Sequence, residues 1–344
     1  MKSIYKRLND LNIEEEIKPV GVCDEENEAM KQLVRKKIHP KRRMPKVWRN
    51  VAAAAVITVA SVTAVGIGFP TLASQIPIFS NIFSIFNEEQ DGFYTDYEEY
   101  AVDIEQAQTS NGITIMVDRA VYDGKTVTLT YSVETEKELG ENAGVNASMD
   151  VKHSNGSSGT STALKKVEDN KYVGMITTTP DFDKSRESVE VSWVPGSVVQ
   201  YDTMNEIEGD WNFHFTLHPV TGNIQTTGQS TAKEGVEISI DEIRYTDIST
   251  IIEYSQKVDP SVTNKWEWVT ADLKVIDNLG NEYFTNGNGG FSENDQDYYW
   301  STTVKKIDEK ATSLIFTPEI ILSEDSGQGH EVLMLDPIEV QLDR

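Results

Sequence analysis

The longest apolar run of the chain is residues 51–72, which contain no ionisable side chain. As an α-helix, residues 51–69 would rise about 28 Å, close to the ~30 Å hydrocarbon core of a bilayer. Thr58, Ser61 and Thr63 can bond to carbonyls of their own helix, so they do not prevent insertion. The run therefore predicts one transmembrane helix. The alternatives are a buried helix of a soluble domain and a cleaved signal peptide, although about fifty preceding residues are too many for a signal peptide.

Two short segments before this run carry apolar residues at helical spacing. Asp24 can cap the second segment, and His39-Pro40 ends it. Helices this short cannot bury an apolar face alone, so residues 1–50 are expected to lie on the inner leaflet or to dock on a cytoplasmic partner. A basic tail that only sets topology is the alternative. The candidate partner-binding residues are Ile4, Tyr5, Leu8, Leu11, Met30, Leu33 and Val34.

Residues 73–100 follow the apolar run and form a juxtamembrane segment. They combine an apolar helical face with an acidic, tyrosine-rich stretch at residues 91–100. Such a segment either lies in the outer membrane interface or packs under a folded ectodomain. The apolar face consists of Phe79, Ile82, Phe83 and Phe86.

From about residue 101 the apolar positions recur at every second residue, which is typical of half-buried strands. Asp123-Gly124 lies between two such runs and predicts a two-residue hairpin turn. Residues 155–159 are interpreted as a flexible loop. The strands expected in this part lie near residues 113–117, 127–133, 147–152, 171–177, 188–193 and 211–217.

A second series of short strands follows a polar stretch at residues 221–235, which we interpret as a domain joint. Short strands with frequent turns indicate two antiparallel β-sandwich domains, residues 101–221 and 222–344, for which an immunoglobulin-like topology is one candidate. No repeat of 20–50 residues is recognised. The strands expected in the second domain are residues 236–245, 249–256, 268–277, 282–285, 299–306, 312–317 and 338–342.

The charge is distributed in three blocks around the apolar run. Residues 1–50 carry 13 basic and 8 acidic side chains, whereas residues 73–344 carry 18 basic and 48 acidic ones. Because basic residues favour the cytoplasmic side of a membrane helix, the N-terminus is placed in the cytoplasm and the β domains outside, in a single-pass cell-membrane protein. The total of 56 acidic against 31 basic residues excludes nucleic acid as a partner.

No catalytic motif is recognised, whether a nucleophile elbow, a zinc-protease pattern or a nucleotide-binding glycine loop. Cys23 is the only cysteine, which excludes a disulfide framework and a multi-thiolate zinc site. On a strand, His214 and His218 would lie about 13 Å apart, too far to share a metal. Residues 286–297 are rich in oxygen ligands, and a plain hairpin loop is preferred there over a weak calcium site. We expect a protein that is not an enzyme and has no cofactor.

Two stretches, SQIPIFSNIFSIF and SNGITIMVDRAVYDGKTVTLTYSVE, follow the basic segment and the apolar run. With the acidic tyrosine stretch between them, residues 45–135 resemble a membrane-anchored family that carries domain of unknown function 4179, common in spore-forming Gram-positive bacteria. The C-terminal region resembles a β domain often appended to that family. The resemblance implies an anti-sigma factor, or a partner of an extracytoplasmic-function sigma factor.

Two functions therefore compete at this stage. The first is a membrane regulatory protein whose ectodomain senses an envelope condition or an unknown extracellular ligand, while residues 1–50 hold a cytoplasmic regulator such as a sigma factor. The second is a binding or structural module of the cell envelope with a passive anchor.

Overall fold

The structure is a computed structural model that describes residues 81–292, 294, 296–324 and 330–343. These residues all belong to one compact unit of the chain. Within them, no helix is both long enough and apolar enough to cross a bilayer. The predicted membrane helix at residues 51–72 and the predicted helices of residues 1–50 lie outside the described residues and stay predictions.

The described residues are mostly antiparallel β-structure, as the alternating pattern predicts. The helices are α1 (Ile82–Asn87), α2 (Tyr97–Tyr100) and α3 (Pro260–Thr263), and a 3-10 turn covers Glu88–Gln90. Strands β1 to β9 are Val102–Ser110, Ile113–Tyr122, Val127–Thr135, Ala143–Val151, Ser157–Glu168, Lys171–Pro180, Val189–Gln200, Asn205–Glu208 and Phe213–Leu217. Strands β10 to β19 are Gly222–Lys233, Val236–Thr246, Ser249–Val258, Trp268–Asp277, Glu282–Tyr283, Asn286–Ser292, Asp297–Lys305, Ser313–Ser323, His330–Met334 and Ile338–Gln341.

The first half of the fold consists of two sheets around one core. Sheet A has the order β1-β2-β3-β6-β5, and sheet B pairs β4 with β7, whose two ends also pair with β8 and β9. Side chains from both sheets form the core, and its largest members are aromatic. The rings of Tyr131 and Trp193 lie 4.8 Å apart, and Phe213 stacks on Trp193 at 5.5 Å.

The second half repeats this arrangement. Sheet C has the order β10-β11-β12-β16-β15, and sheet D pairs β13 with β17, whose two ends also pair with β18 and β19. Its core is largely aliphatic, with Ile238, Ile252 and Val275 fully buried. The Tyr254 hydroxyl donates a hydrogen bond to the Ala271 carbonyl across the core.

The repeated strand order exposes a sequence repeat that periodicity alone does not reveal. Residues 113–133 align without gaps to residues 236–256, and the bulged residue of β2 and of β11 is an aspartate in both halves. The repeat lies 123 positions apart, far beyond the 20–50 residues of an ordinary repeat unit. The identical pairs are Ile115/Ile238, Asp118/Asp241, Tyr122/Tyr245, Tyr131/Tyr254 and Ser132/Ser255.

Three expectations about loops are wrong. The polar stretch at residues 221–235 is expected to contain few strands but includes β10, while the domain boundary assigned there stays a prediction. The residues interpreted as a flexible loop at 155–159 include the start of β5. The oxygen-rich residues 286–292 are β15 rather than a hairpin loop. All three strands lie at sheet edges and expose many of their side chains, so polar residues occupy positions that are apolar in inner strands.

The hairpin between β2 and β3 is confirmed, but its loop is longer than predicted. Tyr122 pairs with Val127, which leaves residues 123–126 as a four-residue loop. The Asp123 carboxylate accepts hydrogen bonds from the backbone N–H groups of Lys125 and Thr126. This side-chain turn replaces the two-residue backbone turn that Asp-Gly usually indicates.

Candidate functional site

The two halves meet residues 81–100 in one place, which we call the junction. It comprises residues 81–100, the loop at residues 123–126, the loop before β12, and the facing edge strands β5 and β15. The two loops occupy equivalent positions of the repeat, so the two halves contact each other through the same turn.

Residues 81–100 form a small hydrophobic core on the outer face of sheet A. Phe83 is 1% exposed and packs against Tyr97, with 5.8 Å between ring centroids. Tyr94 meets Tyr97 edge-on at 5.0 Å. The core also includes one residue of the second half, Ile248. Its buried members are Ile82, Phe83, Phe86, Phe93, Tyr94, Tyr97, Val121, Val173, Met175 and Ile248.

Local sequence explains why this segment folds here. The Asn81 side chain accepts a hydrogen bond from the Ser84 N–H and caps α1. The turn that follows is closed by Asn87, whose side-chain oxygen accepts from the Tyr94 N–H. Residues 81–100, the described part of the segment that follows the apolar run, pack against the β-structure. The apolar face of α1 predicts its burial, whereas the burial of Phe93 and Tyr97 is not evident from the acidic sequence around them.

Ion pairs tie this segment to both halves. Lys165 on β5 pairs with Glu89 at 2.8 Å and lies over the Phe86 ring. Lys305 on β16 pairs with Asp91 at 2.9 Å. These pairs are exposed on one side and add about 1 kcal/mol or less each, so the buried aromatic side chains supply most of the attachment.

A buried carboxylate lies at the centre of the junction. Asp123 is 1% exposed, and besides its own loop it accepts a hydrogen bond from the Ser249 hydroxyl of the second half at 3.3 Å. Burial raises the pKa of Asp123 above its usual value. Burial, together with the charge of Asp123, also raises the pKa of the Tyr97 phenol. The residues between the two halves are therefore sensitive to the ionisation of one carboxyl group.

The edge strands β5 and β15 approach each other backbone to backbone. The Ser158 hydroxyl donates to the Asn288 carbonyl at 2.9 Å, and the Asn288 amide donates to Thr303. A Cβ on Gly289 would lie 1.9 Å from the Ser158 carbonyl oxygen, and one on Gly159 would lie 2.7 Å from that of Asn288. Glycine is therefore required on both strands at this contact.

A cleft of about 150 Å³ opens beside these strands, between the first half and the outer face of sheet C. Lys125 and Glu253, from opposite halves, form a 2.9 Å ion pair on its wall. Two exposed rings, Phe291 and Tyr299, stack on each other at 5.1 Å. The cleft is lined by Lys125, Ser158, Pro180, Asp181, Asp241, Glu253, Tyr254, Gly289, Gly290, Phe291, Tyr299, Trp300 and Ser301.

The two histidines singled out from the sequence do not contribute to the junction. His214 on β9 is exposed, and Nδ1 of the exposed His218 forms a hydrogen bond with the Glu187 carbonyl. Among the described residues, no three metal-ligating side chains come together. The seven candidate partner-binding residues between Ile4 and Val34, and Cys23, lie outside the described residues. One sequence signal could have pointed to the junction. It is the repeat of residues 113–133 at residues 236–256, which shows that the turn at Asp123 has an equivalent turn 123 residues later.

Asp123→Asn is expected to change how stability depends on pH. In the folded state the pKa of the Asp123 carboxyl is raised above 3.8, its ordinary value in the unfolded chain. Between these two pKa values the folded state binds more protons than the unfolded state, so the stability of the wild type falls as pH increases. The asparagine oxygen can still accept both backbone hydrogen bonds. Urea unfolding from pH 4 to 7 should show Asp123→Asn gaining stability relative to wild type as pH rises.

The exposed carboxyl of Asp150 on β4 provides the control, because Asp150→Asn removes a charge without touching the junction. A constant difference between wild type and Asp123→Asn across this pH range would show that Asp123 does not oppose folding when ionised.

Two family models match the chain. Residues 41–135 match DUF4179, a domain of unknown function, which confirms the resemblance seen in residues 45–135. Residues 222–342 match DUF5643, a family of unknown function.

Among solved structures, the chain is similar to the conserved domain protein from Bacillus anthracis, with a TM-score of 0.72 and 29% identity, over 78% of this chain and 100% of that one. No curated protein matches the sequence.

Proposed function

We propose that this chain is a single-pass membrane regulatory protein, because its residues 41–135 match the DUF4179 family. Residues 51–72 would cross the membrane, the β halves would lie outside, and residues 1–50 would hold a cytoplasmic regulator, with a sigma factor as the first candidate. The β ectodomain would sense an envelope condition or ligand.

The observation that carries this proposal is the position of residues 81–100. Their buried rings contact the first half through Val121 and Val173 and the second half through Ile248. A ligand that changes how the halves meet must therefore also change the packing of this segment. The segment begins nine residues after the proposed membrane helix, so a change in its packing would arise close to the point where the chain would enter the bilayer.

We propose further that both halves are immunoglobulin-like domains. Strands β2-β3-β6-β5 and β4-β7-β8 have the order of the A-B-E-D and C-F-G sheets of that fold, with β1 added at an edge. Strands β11-β12-β16-β15 and β13-β17-β18 have the same order, with β10 added. Domains of this type commonly serve in recognition outside the cell, which agrees with the proposed sensor.

Affinity capture tests the regulatory role. The full chain is cross-linked in its host cells, purified from membranes, and compared with Leu8→Asp/Leu33→Asp, which places charges on both predicted apolar helix faces. We expect the full chain to retain a sigma factor and the double variant to lose it, because a docked apolar face does not tolerate a buried unpaired charge.

Ser3→Asp/Gln32→Asp adds the same charge at polar positions of the same segments and should retain the partner. If the full chain retains no cytoplasmic regulator, the alternative function is favoured, which is an envelope-binding module with a passive anchor. The exposed aromatic rings of the cleft would then serve as the binding surface. An unrelated basic tail in place of residues 1–50 would then leave the phenotype unchanged.

A further inference from the structure

The cleft between the two halves has the size of one ring-shaped ligand. It measures about 150 Å³, and a protein cavity of this volume holds a single six-membered ring. One wall belongs to the first half, with Ser158 and Asp181, and the other to the outer face of sheet C, with Tyr299. A ligand bound here would contact both halves at once.

Two exposed aromatic side chains stack on each other at this cleft. Phe291 and Tyr299 are cross-strand neighbours on β15 and β16, with their rings 5.1 Å and 22° apart. Phe291 is 49% exposed and Tyr299 is 37% exposed. Stacking of the pair stabilises the edge strand, but it leaves ring surface in water that a ligand with a flat apolar face would cover.

The polar lining offers both donors and acceptors. Ser158 has a hydroxyl, Lys125 has an ammonium group, and Asp181 and Asp241 have half-buried carboxylates, of which Asp241 accepts a hydrogen bond from Ser255. A ligand must therefore be able to accept and donate hydrogen bonds around a flat apolar face. With Glu253, the lining has three carboxylates and only one ammonium group, that of Lys125. This excess of negative charge disfavours phosphate-bearing and other anionic ligands.

We propose that this cleft binds one neutral pyranose ring of an envelope saccharide. The apolar face of the sugar stacks on an exposed ring face of the Phe291–Tyr299 pair. Its hydroxyls donate to Asp181, Asp241 and the Ser158 hydroxyl oxygen, and they accept from the Lys125 ammonium group. Because the ring bridges both halves, its binding bears on the packing of residues 81–100. The assignment names the ligand of the sensor proposed above, yet sugar binding itself does not depend on what residues 1–50 hold.

The test uses the full chain in a detergent without a sugar head group, titrated by calorimetry with two tetrasaccharides. One consists of β-linked glucose and the other of β-linked N-acetylglucosamine, so the two arms distinguish a plain from an acetylated polymer. We expect one of them to bind. Phe291→Ala/Tyr299→Ala should raise Kd about tenfold or more, because stacking is lost. Asp181→Asn/Asp241→Asn should raise Kd several-fold.

Matched controls remove equivalent groups elsewhere. Trp268→Ala/Phe284→Ala removes two other exposed rings, and Asp150→Asn/Glu237→Gln removes two exposed carboxylates; both should bind like wild type. Thermal unfolding of every variant confirms that each is folded.

Three results overturn the proposal: no binding of either saccharide at 10 mM, equal binding by the cleft variants and the controls, or binding of a tetralysine peptide in place of the saccharides. Failure of the capture experiment with sugar binding intact would overturn the regulatory role alone.

Discussion

Phe83→Ala is expected to destabilise the described fold by about 3–5 kcal/mol, the usual cost of removing a buried phenylalanine ring. The side chain is 1% exposed and contacts the rings of Tyr94 and Tyr97. The cavity would be shared by side chains of residues 81–100 and sheet A, so the segment should detach before the β halves unfold. Urea unfolding gives the loss of stability, and hydrogen exchange gives the loss of protection in α1 and α2.

Ser84→Ala is the matched control, because Ser84 lies next to Phe83 on α1 but is exposed. It should leave protection of residues 81–100 unchanged beyond a small effect at the helix start. Should Phe83→Ala keep wild-type exchange rates in α2, residues 81–100 would not be held by this core, and the coupling argued for the regulatory role would lose its basis.

Gly289→Ala is expected to separate the contact between β5 and β15 at a cost of about 2–4 kcal/mol. Two effects add at this position. Gly289 has a φ of +79°, which L-residues adopt only with strain, and its added Cβ would lie 1.9 Å from the Ser158 carbonyl oxygen. Backbone cannot rotate away as a side chain can, so the two strands must move apart. Thermal unfolding and hydrogen exchange of β5 measure the effect.

Gly287→Ala tests the same strand without the contact, since a Cβ there meets no atom within 4 Å. It should be neutral or slightly stabilising, because alanine restricts the unfolded chain. Equal melting temperatures for the two variants would show that the approach of β5 to β15 does not stabilise the fold.

The alternating pattern located the strands that have one buried and one exposed face. In β11 and β17, buried and less buried positions alternate along most of the strand. The bounds of β11 were expected to within one residue, whereas β17 extends six residues beyond the expected residues 312–317. The edge strands β1 and β10 were missed because their second edge has no neighbouring strand and their residues are largely polar. Gln225 on β10 instead bonds through its side chain to the backbone of residues 341 and 343.

The candidate site was the least predictable part. The β2–β3 hairpin could be predicted because Asp-Gly acts locally, but the burial of Asp123 depends on Ser249, 126 residues away. The stacking of Phe291 on Tyr299 also depends on the register of β15 and β16. The residues around either ring in the sequence do not indicate that the other ring lies beside it. Residues 286–297 resemble a loop in composition because glycine and asparagine there serve close backbone contacts rather than turns.

The sequence by itself determined the properties that depend on neighbouring residues: the antiparallel β character, the apolar face of α1, the separation of basic, uncharged and acidic blocks, and the resemblance to the DUF4179 family. Only the tertiary structure decided which surfaces meet. It packed residues 81–100 into one core with residues of both halves, buried Asp123, and set Gly289 against Ser158. The physical reason is range: periodicity and charge act over a few residues, whereas the junction joins groups more than a hundred residues apart, which only packing of the whole chain brings together.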